Sequence, residues 1–164
     1  MRGEAGLMAD LREYKIAHDI YEHQAVFTVE ESRAIKTDIR CLHTKNLFLK
    51  DAKSAFFLLT VPAEARIDLK RVHPLIGSRR LSFGKADAMG DLIGVTPGSV
   101  TPLGMINARP GSIALVLDHA LAVDKPVGVH PLRNTATLVL AGTDILRLAQ
   151  IWGHEPQIVD LPKL

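Results

Sequence analysis

Short apolar runs alternate with helix-like segments that each stop at a glycine, and this alternation constrains the fold most. The apolar runs are 46–49, 55–61, 112–117 and 136–141, all rich in Val, Leu, Phe or Thr and bounded by turn residues, as buried strands are. The helical segments are 68–76, 85–93 and 144–152, followed by Gly77, Gly94 and Gly153. With 164 residues, the pattern predicts a single domain of mixed α/β or α+β class with one central sheet.

The N-terminal region predicts a helix, a strand and a second helix. Apolar residues recur at helical spacing over 9–15, and β-formers mix with polar residues over 16–23. Thr28 stands three residues before Glu31, which predicts a capping box that opens a helix reaching about Ile35. Thr143 is expected to cap the last helix.

Composition excludes several classes of protein. Hydrophobic residues make up 47% of the chain and charged residues 23%, which argues against disorder. A net charge of +2 is too small for a dedicated polyanion binder, so a nucleic acid would have to meet a local patch. Basic residues concentrate between Arg66 and Lys85. They could form a strip that contacts phosphates, or they could be the solvated face of a helix.

Cysteine usage and hydropathy indicate a reducing compartment. Cys41 is the only cysteine, so no internal disulfide can form. No apolar run approaches the ~20 residues of a membrane span, and the first residues lack the long apolar stretch of a signal peptide. We therefore expect a cytoplasmic protein without a membrane partner.

The first polar cluster is 41–51, where Cys41, His43, Thr44, Lys45 and Asn46 precede an apolar run. Side chains fixed at the mouth of a strand are often functional, although these could equally end a surface loop. Cys41 and His43 would share a face in an extended chain, so a Cys/His nucleophilic pair is one alternative. A small buried cysteine is the commoner interpretation.

Two further clusters combine unusual backbone with polar groups. The loop 94–104 holds three glycines and two prolines, so it is stiff yet lets a ligand approach backbone amides. It matches neither the Walker phosphate loop nor the dinucleotide fingerprint, and a structural turn is the commoner interpretation. His130 lies directly before a strand and suits an acid-base group, a substrate hydrogen bond or a structural turn. The seven histidines show no zinc-ligand spacing, so no metal is expected.

Taken in order, three motifs carry a resemblance to a known family. They are Thr-Lys-Asn-Leu-Phe-Leu-Lys-Asp at 44–51, Gly-Val-Thr-Pro-Gly-Ser-Val-Thr-Pro at 94–102, and His-Pro-Leu at 130–132 followed by Asn134 and Thr135. Together they resemble the YbaK/aminoacyl-tRNA-editing family over essentially the whole chain, and most of all its free-standing prolyl-tRNA editing members. The resemblance implies one compact α+β editing domain over 1–164, with a central mixed β-sheet flanked by helices.

The resemblance also implies an activity: hydrolysis of the ester between a wrong amino acid, above all alanine, and the 3′ end of proline tRNA. It implies no cofactor, metal or covalent nucleophile. Lys45 would handle the tRNA end, and His130 with amides near Gly98 and Ser99 would surround the ester. Further substrate contacts are expected at Thr44, Asn46, Ile35, Leu47, Gly94, Pro97, Val100, Pro102 and Asn134. The expected partners are the acceptor end of tRNA(Pro) and prolyl-tRNA synthetase.

Selection of alanine over the larger proline has to act by size exclusion, with Ile35, Leu47 and the Val100 region as expected walls. Two positions depart from the family pattern. Gly128 stands where an asparagine is common, and Ala108 replaces the aspartate of an Ile-Asn-Asp turn. The alternatives are a deacylase for Cys-tRNA(Pro) or another small aminoacyl-tRNA, and a non-catalytic tRNA- or synthetase-binding module of the same fold.

Overall fold

The computed structural model describes residues 1–25 and 29–164, and its centre is one mixed sheet of eight strands. The strands are β1 (His18–Glu22), β2 (Leu42–Asp51), β3 (Phe56–Pro62), β4 (Leu81–Phe83), β5 (Ala114–Asp118), β6 (Pro126–Val129), β7 (Ala136–Ala141) and β8 (Gln157–Val159). The described α-helices are α1 (Glu4–Glu13), α2 (Val29–Asp38), α3 (Ala86–Ile93) and α4 (Gly142–Ile151). The predicted α+β class with a central mixed sheet is confirmed.

The strand order is β1-β7-β6-β2-β3-β5-β8, with β4 paired to β2 beside this path. The pairs β2–β6, β3–β5 and β5–β8 are parallel, and the other pairs are antiparallel. Strand β2 therefore lies in the middle of the sheet, between β6 and β3. Side chains on β2 are held rigidly by neighbours on both sides.

The core lies on both faces of the sheet. Leu58 of β3 packs with α3 residues such as Ile93, whereas the next residue, Leu59, packs on the other face with Val72. Leu58 and Leu59 are both fully buried, which explains why β3 reads as a continuous apolar run. Helices α1 and α4 cover β6 and β7 on the face away from Val72.

Several predicted elements change in the structure. The segment 68–76 forms two short 3-10 helices, Leu69–Arg71 and His73–Leu75, because Pro74 cannot continue an α-helix. The N-cap of α4 is Ala141 and not Thr143. The loop after Gly94 folds into two 3-10 helices, Pro97–Ser99 and Pro102–Ile106. The predicted capping box at Thr28 lies outside the described residues.

Some of the remaining boundaries agree with the sequence pattern and others differ from it. Strand β7 has the predicted bounds, α3 ends at Gly94 in the left-handed region, and Gly153 follows α4 with φ of 92°. The first helix, α1, begins earlier than predicted, at Glu4, and β2 extends well beyond the apolar run 46–49. Within the described residues, no helix has the length and apolar character to cross a membrane.

Candidate functional site

A cavity opens where strands β2 and β6 stop pairing. The two strands pair at Leu42 with Val127 and at His43 with Gly128. The next residue of β2, Thr44, donates its hydroxyl to the Gly128 carbonyl at 2.7 Å. The cavity beyond has a volume of about 220 Å³ and is bordered by α2 as well as by the strands. Its walls are His23, Ser32, Ile35, Lys36, His43, Thr44, Asn46, Gly128, Val129, His130 and Thr137.

Hydrogen bonds join the three sequence motifs around this cavity. The side-chain amide of Asn46 donates to the Val100 carbonyl at 3.0 Å, and its oxygen accepts a 2.7 Å bond from the Thr60 hydroxyl. The hydroxyl of Thr101, which is fully buried, donates to the His130 carbonyl at 2.7 Å. Hydrogen bonds therefore connect the loop 94–104, which we call the glycine loop, to strand β2 and to the segment after β6.

Gly98 brings the glycine loop against Asn134. A Cβ atom at Gly98 would lie 3.3 Å from the Asn134 side-chain nitrogen, so the two segments are in contact. Pro97 and Gly98 are exposed, and Ser99 is buried. The Ser99 amide donates to the Thr96 carbonyl at 2.9 Å, so its predicted role as an oxyanion donor is wrong for this conformation. Gly98 remains the predicted donor.

Gly94 and Pro102 serve the fold and are not among the cavity walls described above. Gly94 ends α3 with φ of 69°, and a Cβ atom there would clash with the sulfur of Met1 at 2.5 Å. Pro102 is buried at the start of its 3-10 helix, a position that suits proline. Their predicted contact with substrate is therefore corrected to a structural role.

The alternation of β2 separates its predicted site residues onto two faces. Thr44 and Asn46 face the cavity, whereas Lys45 and Leu47 belong to the other face, opposite Val61 and Leu59 of β3. Leu47 packs against the buried cluster that contains both of these residues. The prediction that Leu47 forms a cavity wall is therefore wrong, because its side chain packs into the core on the other face of the sheet.

Lys45 lies near a small group of charges at the edge of the cavity. Lys36, a wall residue, binds Glu64 through a 2.6 Å ion pair. This hydrogen bond lowers the pKa of Glu64, and the nearby charges of Lys45 and Arg33 lower it further. The charge of Lys45 thus acts on Glu64, the partner of a wall residue, although Lys45 itself is not a wall of the cavity.

The tautomers of two cavity histidines follow from their carbonyl contacts. Nδ1 of His23 lies 2.8 Å from the Gln24 carbonyl and must carry the proton, so Nε2 accepts from the Thr137 hydroxyl at 2.9 Å. His130 places Nδ1 3.4 Å from the Ala136 carbonyl. Burial lowers the pKa of His130 below its usual value, so its imidazole is neutral at neutral pH with a lone pair on Nε2.

The geometry does not support a Cys/His nucleophilic pair. Nε2 of His43 is 3.6 Å from the Cys41 sulfur, but it also lies 2.8 Å from the Ile39 carbonyl, to which it must donate. A protonated nitrogen cannot accept the thiol proton. Burial also raises the pKa of Cys41 to about 11, so the nucleophilic thiolate is scarce at neutral pH.

Of the two departures from the family pattern, the one at Gly128 has a local packing cause. A Cβ atom at Gly128 would lie 2.7 Å from the Cys41 sulfur and 3.0 Å from Cγ2 of Thr137, so the usual asparagine does not fit here. Ile106 ends a 3-10 helix, and Asn107 binds both the amide and the carbonyl of Arg2. The turn around Asn107 therefore anchors the N-terminus.

Sequence reasoning missed several walls of the cavity. His23, Ser32, Lys36 and Thr137 come from three parts of the chain with no shared motif. The alternation of β7 gave one usable signal, since Thr137 is a polar residue within a buried apolar strand. The positions of Ser32 and Lys36 depend on how α2 docks, which no local pattern specifies.

One group of possible metal ligands occurs among the described residues, and it lies away from the cavity. It consists of Asp118, His119 and Asp160. Asp118 already accepts bonds from Lys163 at 2.7 Å and from the Ala120 and Leu161 amides. This carboxylate therefore ties the C-terminal segment to β5.

A comparison with known families matches residues 23–148 to the model of the aminoacyl-tRNA editing domain, a stretch that includes every wall of the cavity. The chain belongs to this family. Among its editing-domain relatives is the prolyl-tRNA editing protein ProX of Acetoanaerobium sticklandii, 33% identical over 98% of this chain and 99% of that protein. Prolyl-tRNA synthetase associated domain-containing protein 1 of Bos taurus is 34% identical over 97% and 95%.

Solved structures show the same editing-domain fold. A crystal structure of a proposed trans-editing enzyme for prolyl tRNA synthetase aligns with a TM-score of 0.74, at 20% identity over 100% of this chain and 99% of that one. The crystal structure of hypothetical protein APE2540 gives a TM-score of 0.74 at 18% identity, over 94% and 97%.

Proposed function

We propose that this protein is a trans-editing deacylase that hydrolyses mischarged Ala-tRNA(Pro). The observation that carries the proposal is that β2 and the His130 segment line one cavity, and that hydrogen bonds tie the glycine loop to both, in a member of the aminoacyl-tRNA editing family. ProX, a relative covered over nearly its full length, is named as a prolyl-tRNA editing protein, which supports tRNA(Pro) as the substrate.

The chemistry asks little of the protein, because an aminoacyl ester is already activated. The site has to hold the carbonyl, admit a water and stabilise the charge that forms on oxygen during attack. In this proposal the Gly98 amide donates to that oxygen, and neutral His130 positions the water through Nε2. A ribose hydroxyl beside the ester activates the water. Lys45 binds the phosphate next to the terminal adenosine.

Size exclusion selects the amino acid. Ile35 of α2 is a half-buried wall residue, and it stands across the cavity from β2. The cavity must hold the ester, a water and part of the ribose, so only a fraction of its volume is left for the side chain. In this proposal Ile35 leaves room for a methyl group and rejects the pyrrolidine ring of proline.

The decisive experiment measures deacylation of tRNA(Pro) carrying alanine, cysteine, serine or proline by the purified protein. We expect the highest kcat/KM for alanine and none for proline. Ile35→Ala should raise the rate on larger residues by about tenfold, and Ile35→Val should lie between it and wild type. Binding of uncharged tRNA without turnover of any ester would instead favour the non-catalytic module.

The role of Lys45 has its own test. Lys45→Ala should raise KM for Ala-tRNA(Pro) by about tenfold or more, because alanine cannot form the charge-assisted hydrogen bond to phosphate. Lys53→Ala, in the exposed turn between β2 and β3, is the matched control and should leave KM unchanged. Equal kinetics for wild type and Lys45→Ala would contradict the assignment.

A further inference from the structure

A second cavity of about 240 Å³ adjoins the one described above. Its walls are mainly apolar and include Leu42, Pro62, Ala63, Ala120 and Leu121. The side chain of Leu42 is 40% exposed, which is unusual for a leucine within a central strand. The mechanism proposed for ester hydrolysis makes no use of this cavity.

The two cavities share a boundary. Lys36 and His43 line both of them, so a ligand bound in one lies directly beside the other. Glu64 lies at the edge of the second cavity and holds the Lys36 ammonium through the 2.6 Å ion pair. The ion pair of Lys36 and Glu64 therefore lies between the two cavities, of which the second is the more apolar.

The proposed substrate also has two adjoining parts, one polar and one largely apolar. Its reacting ester is attached to a ribose, and the same ribose carries the flat, largely apolar base of the terminal adenosine. When the aminoacyl group occupies the polar cavity, the base must lie in a neighbouring space. Aliphatic side chains can bury the faces of a base, as apolar pockets bury flat ligands.

We propose that the second cavity binds the adenine base of the tRNA 3′ end, with the ribose at Lys36 and His43. This inference rests on the proposed function and adds the subsite that recognises the nucleoside. The exposed side chain of Leu42 is then a contact surface for the base. Glu64 keeps the Lys36 ammonium at the ribose, where it faces the phosphate backbone of the incoming strand.

The kinetic test uses small esters in place of tRNA. Wild type should hydrolyse 2′(3′)-O-alanyl-adenosine with a kcat/KM about tenfold or more above that of alanine methyl ester, since the apolar walls remove the faces of the base from water. Ala120→Leu fills the cavity, and Leu42→Ser removes part of its apolar wall. Both variants should lower kcat/KM for the adenosine ester until it is close to kcat/KM for the methyl ester. Neither variant should change the rate on the methyl ester.

Matched controls separate the subsite from general effects of substitution. Ala52→Leu lies in the exposed turn between β2 and β3, and Leu75→Ser replaces a leucine that is 51% exposed elsewhere. Both should keep the wild-type preference for the adenosine ester. Equal preference in Ala120→Leu, Leu42→Ser and wild type would overturn the subsite while leaving the deacylase proposal intact.

A binding measurement decides the case in which no ester is hydrolysed. The trinucleotide CCA should shift the backbone amide NMR signals of Leu42, Ala63 and Ala120 in wild type and not in Ala120→Leu. Shifts confined to other regions, or the absence of shifts at millimolar CCA, would overturn the inference. Failure of hydrolysis with these shifts present would count against the proposed function alone.

Discussion

His130 is the residue whose charge the fold controls most clearly at the proposed site. Burial lowers its pKa, so the imidazole stays neutral as pH falls through the usual histidine value of 6.5. We therefore expect the deacylation rate to hold at pH 6.5 and to decline only at lower pH, where a protonated His130 would repel the substrate ammonium. A pH-rate profile on alanyl-adenosine checks this, and a decline centred above 6.5 would contradict it.

The same lowered pKa links His130 to stability. The folded state resists protonation more than the unfolded state does, so the stabilisation is present above 6.5 and is lost as pH falls to the folded pKa. His130→Gln should weaken this acid dependence of the unfolding free energy. Urea unfolding of both proteins between pH 7 and 5 measures the difference, and parallel curves would contradict the expectation.

Gly128 and Cys41 form a second pair at the residue scale. A methyl group at Gly128 would press on the Cys41 sulfur at 2.7 Å, so Gly128→Ala should lower the unfolding free energy by about 1–3 kcal/mol. Cys41→Ala alone should keep full activity, because the proposed mechanism uses water as the attacking group. The double variant should recover part of the lost stability, since Thr137 still crowds the new methyl. No recovery in urea unfolding would show that the clash lies elsewhere.

At the scale of elements, the sequence predicted what local physics controls. The apolar run 136–141 forms β7 with the same bounds, and Gly94 ends α3 as expected. The helix predicted over 68–76 is wrong because Pro74 interrupts the apolar pattern within that segment. The face of β2 that carries Leu47 depends on pairing with β3, and the position of Ile35 depends on the docking of α2. Neither is encoded in a local pattern.

Arg133 joins three elements beside the proposed site. It binds Glu4 of α1 at 2.8 Å and Glu22 of β1 at 2.7 Å, from the segment that follows His130. Hydrogen bonds to Glu22 and Glu4 raise the pKa of Arg133, so the charge is permanent. Because these groups are partly exposed, Arg133→Gln should lower the melting temperature by only a few degrees.

Salt concentration and a matched variant test the contribution of these Arg133 ion pairs. The difference between Arg133→Gln and wild type should shrink at high salt, where exposed ion pairs are screened. Arg133→Lys should recover little, because lysine cannot form two bidentate contacts. Arg147→Gln, on the exposed face of α4, should not change the melting temperature. A destabilisation by Arg133→Gln that does not depend on salt would point to packing instead of charge.

For the whole molecule, a net charge of +2 means that tRNA has to be attracted by a local surface. The basic side chains of the segment 66–85 are all exposed, on 3-10 helices, turns and loops, and not on the single helix face that the sequence allowed. They are Arg66, Lys70, Arg71, Arg79, Arg80 and Lys85. Within the described residues, none of them takes part in an ion pair of the structure.

Salt should therefore act on tRNA binding and not on the chemical step. We expect KM for Ala-tRNA(Pro) to rise steeply with salt concentration while kcat stays constant, because protein groups that bind phosphates release counterions. KM for alanyl-adenosine, which carries no phosphate, should barely change. Replacing Arg79 and Arg80 with glutamine should reduce the slope of log KM against log salt by about one for each phosphate that the variant no longer binds. Lys15→Gln is the control on a distant turn, and an equal slope in both variants would show that the strip 66–85 does not bind tRNA.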